Sequence, residues 1–130
     1  MDSRLLEAAR RAMARAHAPY SKYHVGAAIL ADDGAVYAGC NVENASFPEG
    51  WCAETSAIGA MVTNGGKKIR EIAVMGEGAD LTTPCGGCRQ RIAEFAGPET
   101  PVHICGPDGL RRSFKLVDLL PESFGKDHLA

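Results

Sequence analysis

Leu5, Leu6, Ala9, Met13 and Ala16 recur at three- and four-residue spacing, with Arg4, Arg11 and Arg15 mostly elsewhere. That pattern predicts an amphipathic helix over residues 3–16. Pro19 ends it, since a proline disfavours helix at the residue before it. Val25–Ala31 and residues 36–42 read as two strands joined by the turn Asp32-Asp33-Gly34. Residues 43–51, with Pro48 and Gly50, read as a loop. Residues 52–63, rich in Ala, Ile and Met, read as a helix closed by Asn64-Gly65-Gly66. Ile69–Gly76 contains the apolar run Ile72-Ala73-Val74-Met75, suited to a strand buried on both faces. After the polar loop 77–83, Thr83 is expected to cap a helix with Pro84 in its first turn, running through 85–95 to Gly97-Pro98. Residues 102–105 and 112–116 read as strands around Gly106-Pro107-Asp108-Gly109. A short helix at 117–120 precedes Pro121, and the tail from Lys126 is expected to be loose.

Helices that cross between strands imply parallel pairs, whereas the first hairpin is antiparallel. The expected architecture is therefore a three-layer α/β/α domain with a five-stranded mixed sheet. A chain of 130 residues is too short for two useful cores, so residues 1–130 are read as a single domain.

Composition narrows the partners. Lys and Arg total 14 against 16 Asp and Glu, the basic residues are scattered, and aromatics make up only 6%. That is not the basic stripe with interleaved aromatics of a nucleic-acid binder. No apolar run approaches the roughly 20 residues that cross a bilayer, and the Ala/Arg-rich start is not expected to act as a secretory signal. The chain is read as cytoplasmic, without a nucleic-acid or membrane partner.

Five cysteines change the picture. An odd count leaves one unpaired, and in a reducing compartment close spacing points to metal or catalysis before disulfides. Cys85 and Cys88 share one face at a helix start, and Cys52 opens the other buried helix. If both helices begin at the same sheet edge, three thiolates meet at one point. Zinc suits such soft donors, and two helix N-termini would offset their excess negative charge. Three protein ligands mark a catalytic zinc with an open position; a fourth from Cys40, Cys105 or His103 would close a structural one. A thioredoxin-like use of Cys85 and Cys88 is a further alternative.

Cys52-Ala53-Glu54 together with Pro84-Cys85-Gly86-Gly87-Cys88 matches the three-cysteine form of the zinc deaminase signature. At this point the chain resembles the small homotetrameric zinc-dependent cytidine deaminases. The resemblance extends from Ala18-Pro19-Tyr20-Ser21-Lys22 through Val25-Gly26-Ala27-Ala28, Asn41-Val42-Glu43-Asn44-Ala45 and Cys88-Arg89-Gln90 to Leu119-Leu120-Pro121. It implies one zinc per chain on Cys52, Cys85 and Cys88, with Glu54 as the proton shuttle. It also implies Asn41 and Glu43 as the grip on the sugar of a free nucleoside. Tyr23 takes a position where Phe commonly sits beside the pyrimidine, and Phe124 matches an aromatic that stacks on the base from a neighbouring subunit. Thr55 stands where many members carry an arginine thought to moderate thiolate charge, and Phe47 where Tyr is common. The expected activity is hydrolysis of cytidine and 2′-deoxycytidine to the uridines and ammonia, as in pyrimidine salvage, by a homotetramer with shared sites. Two alternatives stand beside it. One is a deaminase of a modified cytosine nucleoside of the blasticidin type; the other is a non-catalytic zinc-binding interaction domain.

Overall fold

The computed structural model describes residues 1–129. Along the chain run α1 (Leu5–Ala14), β1 (Val25–Ala31), β2 (Val36–Cys40), α2 (Ala53–Thr63), β3 (Ile69–Gly76), α3 (Gly86–Phe95), β4 (Pro101–Gly106), β5 (Gly109–Lys115) and α4 (Leu116–Leu119). The strands form one mixed sheet in the order β2-β1-β3-β4-β5. Alternation along the central strands sends their side chains to two cores. Ile29, Ile72, Val74, Val102 and Ile104 face α2 and α3, while Ala28, Leu30, Ala73, Met75 and Cys105 face α1. Helices therefore cover both faces, as expected.

Pairing departs from expectation in one respect. Only β3 and β4, joined through α3, are a hydrogen-bonded parallel pair. The β2-to-β3 crossover through α2 also joins strands of the same direction, but β1 lies between them, antiparallel to both. Two close approaches seat the helices on this hairpin. A Cβ at Gly26 would lie 2.0 Å from the Ala9 carbonyl oxygen of α1, and one at Gly39 would lie 2.4 Å from the Ala57 nitrogen of α2. Glycine at both points lets helix backbone rest directly on strand backbone.

Several boundaries shift. α1 is shorter than residues 3–16, starting where Asp2 accepts from the Arg4 N–H at 2.9 Å. β2 stops at Cys40 because Val42 leaves the ladder to bridge His17 and Trp51. The cap of α3 is Cys85, extended at φ −66° and ψ 167°, so Thr83 and Pro84 both precede the helix. β5 starts at Gly109, three residues early, since its φ of +131° permits a tight turn over Pro107-Asp108. The tail expected to be loose includes a 3-10 turn, Lys126–His128, with the His128 ring stacked on Phe124 at 4.9 Å. Among the described residues no helix is long and apolar enough to cross a membrane.

Candidate metal centre and active site

Cys52 caps α2 and Cys85 caps α3. Both caps are extended, so each chain segment turns at its cysteine and aims the first turn of its helix at the same point. Cys88, one turn into α3, completes the group. The three sulfurs lie within 4.8 Å of one another, with Cys52 Sγ and Cys85 Sγ 3.8 Å apart. Cys88 is buried, Cys52 half-buried and Cys85 exposed. Cys88 donates toward Cys52, which lowers the Cys52 pKa; the same hydrogen bond, with burial, pushes the Cys88 thiol up.

Three soft donors converging on one point, at the positive ends of two helices, fit a zinc ion. Among the described residues no fourth His, Cys, Asp or Glu joins the group. Cys105 belongs to the core on the opposite face of the sheet. Both ring nitrogens of His103 are engaged, by Glu71 at 2.8 Å and Ser113 at 2.6 Å. The fourth ligand that would make a closed structural site is not assembled from these residues.

Glu54 sits in the first turn of α2, only 4% exposed. Burial raises its pKa; hydrogen bonding to its own backbone N–H and the charge of Arg91 oppose that shift. Glu54 lines a cavity of about 620 Å³, whose wall also carries Cys52, Cys85, Asn41, Glu43, Trp51 and Thr82. One cavity thus brings together two of the three sulfur residues, the buried carboxyl and the polar pair. Trp51 is fixed there by a 2.6 Å bond from its indole N–H to Ser56 Oγ, which itself donates to the Cys40 carbonyl at 2.8 Å.

Asn41 and Glu43 reach this wall from beyond the end of β2, flanking the Val42 bridge. Asn41 Oδ1 accepts the Val25 N–H and its Nδ2 donates to the Tyr23 carbonyl, both at 2.9 Å. Glu43 accepts the N–H groups of Tyr20 and Ser21 at 3.0 and 3.1 Å and the Ser21 hydroxyl as well. The hydroxyl of Ser21 is the main cause of the lowered Glu43 pKa. Both side chains therefore also hold the loop at 20–25 in shape.

The two aromatics lie apart from this group. Tyr23 stands behind the wall, with its hydroxyl 2.5 Å from that of Thr82. A Cβ at Gly76 would strike both hydroxyl oxygens, at 2.1 and 2.6 Å, so glycine makes room for the pair. Phe124 is 56% exposed and borders a smaller hollow beside α3, where its carbonyl accepts from Gln90 at 2.9 Å. The sequence reading missed Trp51 and Thr82. Trp51, the sole tryptophan, abuts Cys52 in the chain, and Thr82 is two residues before Pro84; adjacency to the cysteines was their one available signal.

Residues 1–104 match the family described as the cytidine and deoxycytidylate deaminase zinc-binding region. The chain is 38% identical over 127 residues to a cytidine deaminase of Sporosarcina psychrophila, covering 98% of this chain and 93% of that protein. It is 41% identical over 121 residues to a cytidine deaminase of Mycobacterium tuberculosis, covering 93% and 87% respectively. The crystal structure of cytidine deaminase from Burkholderia pseudomallei superposes with a TM-score of 0.88 at 40% identity, over 95% of this chain and 99% of that one.

Proposed function

This chain belongs to the cytidine deaminase family with its three-cysteine zinc-binding region, and from that premise we propose that it hydrolyses cytidine and 2′-deoxycytidine to the corresponding uridines and ammonia. The observation that carries the reading is a buried carboxyl residue, Glu54, sharing a cavity of about 620 Å³ with two of three converging thiols. Cys52, Cys85 and Cys88 would hold one zinc ion. When bound, zinc supplies the Lewis acidity that makes hydroxide available at neutral pH.

The rest is the work of the protein's own side chains. Replacing the exocyclic amine by oxygen breaks one C–N bond and forms one C–O bond, and two protons must move. Glu54 takes a proton from the attacking water and gives it to the ring nitrogen beside the reacting carbon. It then takes the second proton and delivers it to the amine, which leaves as neutral ammonia. Burial suits it to both halves of this cycle, because a carboxyl whose pKa desolvation raises holds a proton more readily and can still return it. Asn41 and Glu43 line the cavity and, beyond the bonds they make to the 20–25 loop, keep donor and acceptor capacity that suits a ribose hydroxyl. The reading is tested by incubating zinc-loaded protein with cytidine and following ultraviolet absorbance together with ammonia. Uridine and ammonia in equal amounts are expected; no conversion by zinc-replete protein would overturn it.

The same reading extends to a homotetramer whose sites are shared. Phe47 is 75% exposed at the cavity, and Phe124 is 56% exposed away from it, which supports burial of both against other copies. Sedimentation of the zinc-loaded protein is expected to give four times the chain mass; a monomer that turns over cytidine would contradict sharing.

A further inference from the structure

A zinc ion on three thiolates carries a net charge of about −1, and an ionised Glu54 beside it makes about −2. Each helix N-terminus supplies the equivalent of roughly half a positive charge, so α2 and α3 together offset about half of that. One further cation is wanted within reach of the sulfurs.

The side chains around Cys88 leave one candidate. Thr55 brings only a neutral hydroxyl, with Oγ1 3.9 Å from Cys88 Sγ. The guanidinium of Arg89 is committed to carbonyls, donating to Pro84 at 2.7 Å and Leu119 at 2.8 Å. Arg91 is three residues beyond Cys88, on the same face of α3. Its Nη1 donates to Cys88 Sγ at 3.9 Å. Gly87 makes space for it: a Cβ there would lie 3.1 Å from Nη1 and 3.9 Å from Cζ of Arg91. The second glycine of Cys85-Gly86-Gly87-Cys88 thus leaves room for a guanidinium to lie back over the sulfur.

We propose that Arg91 is a positioning residue of the metal centre: its guanidinium lies on Cys88 Sγ and supplies the positive charge that the three-thiolate site requires, a role that Thr55 cannot fill. It acts through the sulfur and touches no reacting atom. Because binding converts three neutral thiols and a free dication into an anionic centre, a cation beside the sulfur favours the loaded state at neutral pH. The same cation draws electron density from the sulfur and keeps the ion a stronger Lewis acid.

The inference rests on the zinc reading of the three thiols, and its test separates the two. Wild type, Arg91→Met and Arg91→Lys are each titrated with zinc against a chromophoric chelator at pH 7, and each is also loaded with cobalt(II) for its thiolate-to-metal charge-transfer band. Partners just outside a metal's ligands are worth about 10–100-fold in affinity or activity. Arg91→Met is expected to weaken zinc by about tenfold and shift the cobalt band to longer wavelength, with Arg91→Lys restoring most of both. Equal affinity and an unmoved band in Arg91→Met would overturn the proposal, as would a loss that Arg91→Lys fails to restore. Wild-type protein that binds no zinc would sink the zinc reading instead.

Discussion

The two faces of the sheet treat buried ionisable groups in opposite ways. On the α1 face, His103 is 5% exposed and its ring is fully paired, with Glu71 at 2.8 Å and the Ser113 hydroxyl at 2.6 Å. Glu71 also accepts the Asp2 N–H at 3.2 Å, so this cluster fastens the chain start to β3, β4 and β5. On the α2 and α3 face, Glu54 is 4% exposed, and among the described residues no partner side chain holds its carboxyl as Glu71 and Ser113 hold His103. Glu54 lines the cavity described above, together with two of the three converging cysteines, Cys52 and Cys85. A buried polar group given every partner stabilises the fold; one left without such partners, at a cost in stability, is what the proposed proton transfer by Glu54 requires.

The difference is broken most forcefully on the thiol side. Cys85→Ala should leave two ligands, lose most of its zinc and abolish turnover, while the sheet and α1 stay intact. Metal analysis and cytidine hydrolysis on one preparation check this; full activity with no detectable zinc would remove the metal from the reaction. On the other face the expected effect is smaller and of another kind. His103→Ala should cost about 1–3 kcal/mol of stability, because Glu71 loses its buried donor. Its kcat/KM for cytidine should stay near the wild-type value. Thermal melting beside a kinetic assay checks both, and a selective loss of kcat in a protein of unchanged melting point would assign this cluster to the site.

Much of this arrangement could be read in the chain. The element order and the five strands followed from periodicity and turn residues, whereas a common sheet edge for both helix starts entered only as a condition. The convergence of Cys52, Cys85 and Cys88 hung on that condition, and the deaminase signature with its family resemblance, more than periodicity, pointed to it. What escaped depended on tertiary geometry. That β2 ends at Cys40 is decided by Val42 bridging His17 and Trp51, residues distant in sequence. The approach of Arg91 to Cys88, eased by the room at Gly87, is set by a side-chain conformation that no periodicity signals. His103 appeared in the sequence as a spare metal ligand, since its partners Glu71 and Ser113 become neighbours only through the registers of β3, β4 and β5.

The most direct test sets Glu54→Gln beside wild type, with zinc content, cytidine affinity, turnover and melting temperature measured on the same samples. Gln keeps the shape and cannot relay a proton, so turnover should fall by at least about 10²–10⁴-fold with zinc and cytidine binding retained. The melting temperature should hold or rise, because a buried carboxyl without a partner side chain has been removed. Turnover within a few-fold of wild type would contradict the role of Glu54. A melting temperature lowered as far as that of His103→Ala would contradict the division of labour between the two faces.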